Sequence, residues 1–347
     1  MPVPPMAHRT GHDDGYFPAG RSPLRRVHAE RLVGLFYGQR ALCIGAVKPL
    51  NYVGTSEHSY AKLTPFRRLV KTGNAFETIY FGSRADADRV LRRVAGMHER
   101  VRGTLSEDAG ATPAGTPYSA FDPALMLWTV AVIADSAQRF YELFVRRLAA
   151  DEREGLWRDY VRFGELFGLA AADMPSCWGE FREYWQAELA AEDLFLTDEA
   201  RYVGYSTAFE IPLPATHQPG KAVHDLIMLG SLPHRVRELY GLPYTTAQRT
   251  AFRAAVAGLH AARRVTPRAL ARGWNTRSFE LVAATERRRV RRGEPTPQVT
   301  DTGPAPLPRR RGPVSRPRPA QATSRTTLPV APRSSSSFSA SDARSSG

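Results

Sequence analysis

TPFRRLVKTGNAFETIYFGSRADADRVLRRVAGMHERV, residues 64–101, sets the reading of the whole chain. Thr64-Pro65 has the form of a helix N-cap followed by proline in the first turn, where a missing N–H costs nothing. Phe66, Leu69, Val70, Phe76 and Tyr80 recur at helical spacing up to Gly82. Val90, Val94, Met97 and Val101 make a second stripe that ends near Gly103. Apolar residues three and four apart share one helix face, so the spacing predicts two helices back to back.

The pattern extends in both directions. Leu32, Leu35, Phe36, Leu42 and Ala46 predict an earlier helix, which Pro49 should end. Residues 103–116 read as a small-residue loop, and Asp122-Pro123 opens a long helix to about residue 148. Further helices are predicted at 157–167, 177–192, 220–232, 246–262 (Thr246 as its cap) and 267–289. No stretch alternates with period two, and the dipeptides that mark hairpins are absent. The expected fold class is all-α, with about eight to ten helices in one domain.

A hydrophobic content of 42% in 347 residues is enough for a sizeable core. The formal charge of +14 is unevenly placed: thirteen arginines against three acidic residues from Arg287 onward give +10, leaving +4 for residues 1–286. The expected organisation is a flexible arm over 1–20, a folded domain over 21–290, and a disordered Pro/Arg/Ser-rich tail over 291–347. That tail has almost nothing to bury against the entropy of ordering its backbone. Its arginines would favour contact with an anionic membrane surface or nucleic acid by charge alone. No nucleic-acid motif or run of aromatics accompanies them, so specific nucleic-acid recognition is not expected.

Two cysteines far apart, Cys43 and Cys177, exclude a zinc ribbon or a disulfide framework. The N-terminus lacks the layout of a signal peptide. The longest apolar runs, 41–47 and 124–134, fall short of the roughly 20 residues a spanning helix needs. A cytoplasmic location is the expectation.

Few residues could carry chemistry. On the first quoted helix Arg68 and Thr72 are four apart, which sets a fixed cation beside a hydroxyl. Gly73 follows, and a glycine inside a helix is usually compensated by the close approach of another group. Lys71 lies about 100° round the helix from Thr72, with a stem long enough to reach the same space. His98 borders the apolar stripe of the second helix. Taken alone it reads first as a core histidine satisfied by a carbonyl or carboxylate, and second as a haem ligand. Glu57-His58 could supply a base or an alternative ligand, or be only a polar turn. Asp135-Ser136 reads as a buried polar pair bonded to a neighbouring helix.

Taken in order, several stretches resemble the MpaB-like (DUF2236) oxygenase family, which includes latex-clearing protein, the rubber oxygenase. They are E-H-S (57–59), P-F-R-R-L-V-K-T (65–72), F-G-S (81–83) and R-R-V-A-G-M-H-E-R-V-R-G (92–103). Y-S-A-F-D-P-A-L-M-L-W (118–128), D-S-A-Q-R-F-Y-E-L-F (135–144) and G-S-L-P-H-R-V-R-E-L-Y-G-L (230–242) follow. The resemblance implies an all-helical fold holding haem b, with dioxygen used to cleave or oxygenate an olefinic, prenyl-like substrate. It implies His98 as the iron ligand and Arg68 and Thr72 as pocket residues. Lys71 would be a distal lysine and Glu57, at a different spacing, the pocket glutamate. One departure is Val130, which stands where many relatives carry a histidine in W-V-H-A-T-L-V-D-S. Latex-clearing proteins are secreted and no export signal is evident here, so rubber itself is not the expected substrate. The alternative is a helical lipid- or terpenoid-binding protein that has lost the haem chemistry.

Overall fold

A computed structural model describes residues 14–57 and 65–294, with two short pieces at 299–300 and 303–304. The chain divides into two compact units, and the second, Pro308–Gly347, lies outside the described residues. Thr64, His58, most of the expected N-terminal arm and most of the expected tail lie outside them as well.

The fold is all-α. Among the described residues fourteen α-helices run in chain order. They begin with α1 (Pro23–His28), α2 (Arg31–Gly45), α3 (Pro49–Glu57), α4 (Pro65–Phe81) and α5 (Arg84–His98). A small antiparallel hairpin follows, β1 (Arg102–Thr104) with β2 (Pro117–Ser119). Then come α6 (Pro123–Phe144), α7 (Ala150–Leu166), α8 (Trp178–Ala190), α9 (Asp198–Phe209) and α10 (Gln218–Ser231). The last are α11 (His234–Tyr240), α12 (Thr246–Val265), α13 (Arg268–Ala271) and α14 (Thr276–Arg291).

The core is built round α6. Asp122 caps it, its Oδ1 accepting from the amides of Ala124 (2.9 Å) and Leu125 (3.3 Å), and Pro123 occupies the first turn. Trp128, Ala131, Ala137, Phe140 and Phe144 are fully buried, so the helix is apolar well beyond a single stripe, as a central helix must be. α2 packs along it, and Trp128 Nε1 donates to the Gly45 carbonyl at 3.3 Å. Phe36 of α2 meets Phe140 and Phe144 at ring separations of 5.2 and 5.3 Å. Each fully buried ring contributes about 2–3 kcal/mol of transfer free energy.

The Asp135-Ser136 pair does bridge helices. Arg40 of α2 donates to Ser136 Oγ at 2.8 Å and pairs with Asp135 at 2.8 Å, and Arg182 of α8 holds the other Asp135 oxygen at 2.8 Å. With Arg40 buried, these partners keep its charge compensated.

Several boundaries differ from the sequence reading. α2 does stop before Pro49, but that proline then opens α3, because φ near −65° and a missing N–H suit a helix start as well as a stop. α5 ends at His98, short of Gly103, because residues 102–104 pair with 117–119. Three-residue strands are too short to display an alternation. The cap of α12 is Thr245, one residue earlier than expected, reciprocated by Gln248 at 2.8 and 3.2 Å. The single helix expected over 267–289 breaks at Gly273, whose φ of 130° lies outside what side-chain-bearing residues adopt. Inside the expected loose arm, Phe17 is buried and Tyr16 donates to Asp88 at 2.6 Å.

α4 and α14 are antiparallel partners. Gly73 makes the contact possible: a Cβ there would stand 2.9 Å from the Phe279 ring. The compensation expected for a mid-helix glycine is therefore an aromatic side chain from the last helix.

Candidate active site

A cavity of about 280 Å³ lies among α2, α3, α4, α6, α9 and α14. Leu42, Leu69, Phe76, Val132, Ile133 and Phe279 give it apolar walls. Leu42 is 41% exposed while lining it, so the cavity reaches the surface there. Small residues on α2 (Gly34, Gly38, Gly45) thin one wall.

One end is polar. Arg68 and Thr72 of α4 face it as the four-residue spacing predicts. The Thr72 hydroxyl donates to the Arg68 carbonyl at 3.2 Å, leaving its lone pairs for a ligand. Tyr52 of α3 donates to Glu199 Oε1 of α9 at 3.1 Å. Burial, then the Glu199 charge, push the Tyr52 phenol well above its ordinary range, against a smaller opposing effect of Arg68. Tyr52 is thus a neutral donor at any physiological pH. Asn51 Nδ2 donates to Thr129 Oγ1 at 2.9 Å and to the Leu125 carbonyl at 3.1 Å. Among the described residues lining the cavity, Glu199 is the one acid and Arg68 the one base.

The other sequence-derived candidates are placed differently. Lys71 is exposed on α4 and does not line the cavity. Glu57 is the last residue of α3, and its side chain is outside the described set. His98 is the last residue of α5, half-buried, with its ring edge-on to Phe121 at 6.0 Å. Desolvation lowers its pKa, which favours the neutral imidazole, and among the described residues it has no hydrogen-bond partner. No residue of α5 lines the cavity, so the structure does not bring His98 to the same space as Arg68 and Thr72. Val130 is buried in α6 and also faces away from the cavity, although Thr129, Val132 and Ile133 line it.

Two imidazoles stand just behind the cavity wall: His224, whose Nε2 lies 2.7 Å from Oε1 of the lining residue Gln39, and His28. His28 is buried, held neutral by a desolvation that lowers its pKa to about 3, and stacked on Tyr80 at 4.3 Å. Its Nε2 lies 2.7 Å from the Tyr160 hydroxyl. Its ring also meets Tyr37 edge-on at 4.6 Å, and Tyr37 lines the cavity where His28 does not.

A haem requires an axial donor, apolar flanks and compensation for its carboxylates. The cavity provides apolar flanks and the Arg68 guanidinium. His98 provides the right donor chemistry, a neutral unengaged imidazole, from outside the lining. No histidine, cysteine or methionine stands among the described lining residues. Nor, among the described residues, do three or more His, Cys, Asp or Glu cluster as a metal site.

The chain belongs to the family described as ER-bound oxygenase mpaB/B'/Rubber oxygenase, catalytic domain, which matches residues 25–261. This is a family of oxygenase catalytic domains. An uncharacterized protein of Mycobacterium bovis and another of Mycobacterium tuberculosis are each 24% identical to it over 203 residues, 58% of this chain and 76% of each relative. No solved structure matches the chain. Among the described residues no helix is long and apolar enough to cross a membrane.

Tyr52, Glu199 and Phe279 escaped the sequence reading. Tyr52 and Glu199 are 147 residues apart, on helices whose patterns were not singled out, and no local spacing could pair them.

Proposed function

We propose that the protein is a haem-dependent oxygenase that uses dioxygen on an olefinic, prenyl-like substrate held in the α2–α4–α6–α9 cavity. The observation that carries the reading is the opening of Arg68 and Thr72 onto an apolar cavity, in a chain of an oxygenase family. Bound haem b would supply dioxygen activation, and His98, which stands outside the described cavity lining, is the family-derived candidate for the iron ligand. The apolar walls bind the hydrocarbon chain and exclude water from it. The Arg68 guanidinium and the Thr72 hydroxyl polarise an oxygen atom brought to the polar end. Glu57 is the family-derived candidate for taking a proton from the substrate, and Lys71 for a distal position. The location that suits this reading is the cytoplasm, with the arginines of the tail favouring contact with an anionic membrane by charge.

The test is an absorption spectrum of the purified protein, oxidised and reduced, before and after haem reconstitution. A Soret band in the wild type that is lost in His98→Ala, with helicity retained, is the expected result. No Soret band and no haem uptake on reconstitution overturns the proposal, and full haem retention in the variant overturns the ligand assignment.

A second reading, a non-catalytic lipid or terpenoid carrier, is favoured by one observation: no imidazole lines the described cavity. Co-purification of a lipid without any chromophore would select it.

A further inference from the structure

The helical glycines around the cavity differ in what stands beside them. Gly34 and Gly45 of α2, Gly73 of α4 and Gly204 of α9 line it, as does Gly38 of α2. A Cβ at Gly34 would strike the Asn275 side chain, and one at Gly204 the Tyr240 hydroxyl. One at Gly73 would stand 2.9 Å from the Phe279 ring, and one at Gly45 3.9 Å from Val132 Cγ2. At these four positions another part of the protein borders the space a side chain would take.

Gly38 is the exception. It lies in the middle of α2, and among the described residues no atom comes within 4 Å of a Cβ placed there. Nor does its φ fall in the positive range that calls for glycine. Inside a helix alanine is favoured over glycine by a factor of about five in the folded-to-unfolded ratio. Neither backbone conformation nor packing within the protein accounts for a glycine here. The open space beside it is that of the cavity it lines, and Leu42, one turn further along the same face, forms the rim.

The volume bounds what can fill that space. An apolar void of roughly 150 Å³ holds one benzene ring. A cavity of about 280 Å³ therefore suits about twice that, an apolar body of about a dozen carbon atoms. With no side chain at Gly38, such a body can reach van der Waals contact with the α2 backbone and remove apolar surface on both sides from water.

We infer that an apolar ligand of about a dozen carbon atoms lies directly against the α2 backbone at Gly38, and that this residue determines its fit. The contact presupposes that the cavity is the substrate site, and it is independent of haem. At this one position stability and binding then oppose each other, a trade-off that a purely structural glycine would not show.

Titration calorimetry and urea unfolding of the full-length protein test it, with geraniol, an alcohol of two isoprene units, as the probe. Gly38→Ala should raise the folded-to-unfolded ratio about fivefold. It should weaken geraniol about fourfold, the factor for one methylene denied its burial. Gly38→Leu, which also favours the helix, should weaken geraniol by at least about tenfold while the protein stays folded. Leu42→Trp, at the exposed rim, reports whether geraniol sits in the cavity; it should weaken binding and leave stability unchanged.

If Leu42→Trp weakens geraniol while both Gly38 variants bind it as the wild type does, the contact at Gly38 is refuted and the cavity reading stands. A loss of stability in Gly38→Ala also refutes the contact, because a protein group would then occupy the space. If the wild type does not bind geraniol, or binds it equally with each of the three substitutions, the cavity reading falls and the contact with it.

Discussion

Glu77 and Glu286 cap each other's helices. Glu286, near the C-terminal end of α14, accepts from the amides of Phe66 and Arg67 at 3.1 and 2.9 Å, at the start of α4. Glu77, near the C-terminal end of α4, accepts from the Asn275 amide at 2.7 Å and from the Thr276 hydroxyl at 3.3 Å, where α14 begins. Helix N-termini present unpaired N–H groups and a partial positive charge, and a carboxylate satisfies both. Caps usually come from the residue just before the helix. Here each comes from the neighbouring helix, so the ends of α4 and α14 form together.

Glu286→Ala should destabilise the fold by about 2 kcal/mol, because the buried Phe66 amide and the part-buried Arg67 amide lose their acceptor at once. Urea denaturation gives the total. Hydrogen exchange at Phe66 and Arg67 locates it, and unchanged protection there would refute the cross-helix cap.

Glu77 gives stability a pH dependence. Burial raises its carboxyl pKa from 4.5 to about 7, against the opposing effects of the Asn275 amide, the Thr276 hydroxyl and the Arg31 charge. The folded state therefore holds its proton more tightly than the unfolded state does. The associated stability is fully present below pH 4.5 and is lost as pH rises through about 7. The total is on the order of 3 kcal/mol. Glu77→Gln cannot titrate, so the stability of wild type minus variant should fall between pH 5 and pH 8. A difference that stays flat, or rises, would exclude the assignment.

Gly73→Ala should destabilise the wild type even though alanine is the better helix former by about 1 kcal/mol, because the new methyl meets the Phe279 ring. In a Phe279→Leu background the obstruction is relieved and the helix gain should emerge, so the same substitution becomes stabilising. Equal effects of Gly73→Ala in the two backgrounds, measured by urea unfolding, would mean that the two residues do not interact.

These pairs show what the sequence could and could not reveal. α2, α4 and α6 were readable because their apolar residues recur at three and four and because Pro65 and Asp122-Pro123 mark their starts. Arg68 and Thr72 were readable because a four-residue spacing fixes a shared face whatever lies opposite. Gly73 announced a close neighbour without naming it, since Phe279 sits 206 residues further on. α9 escaped notice because its buried positions include Gly204, Ser206 and Thr207, which do not read as an apolar stripe, so Glu199 had no element to be placed on. His98 looked inward because it borders the stripe of α5, but that stripe is only partly covered: Met97 on it is exposed, and the buried residue of α5 is Ala87. Periodicity marks the more apolar face of a helix without telling how far, or by which neighbour, it is covered.

The matched family segment stops at residue 261, within α12, whereas Phe279 and Val282 of α14 form part of the cavity wall. The shape of the cavity is thus partly set by a helix beyond the segment that the family model matches. Substitutions on that final helix can therefore reshape the chamber without touching the helices of the matched segment, and a protein cut back to residue 261 would leave the chamber without the wall that Phe279 and Val282 supply.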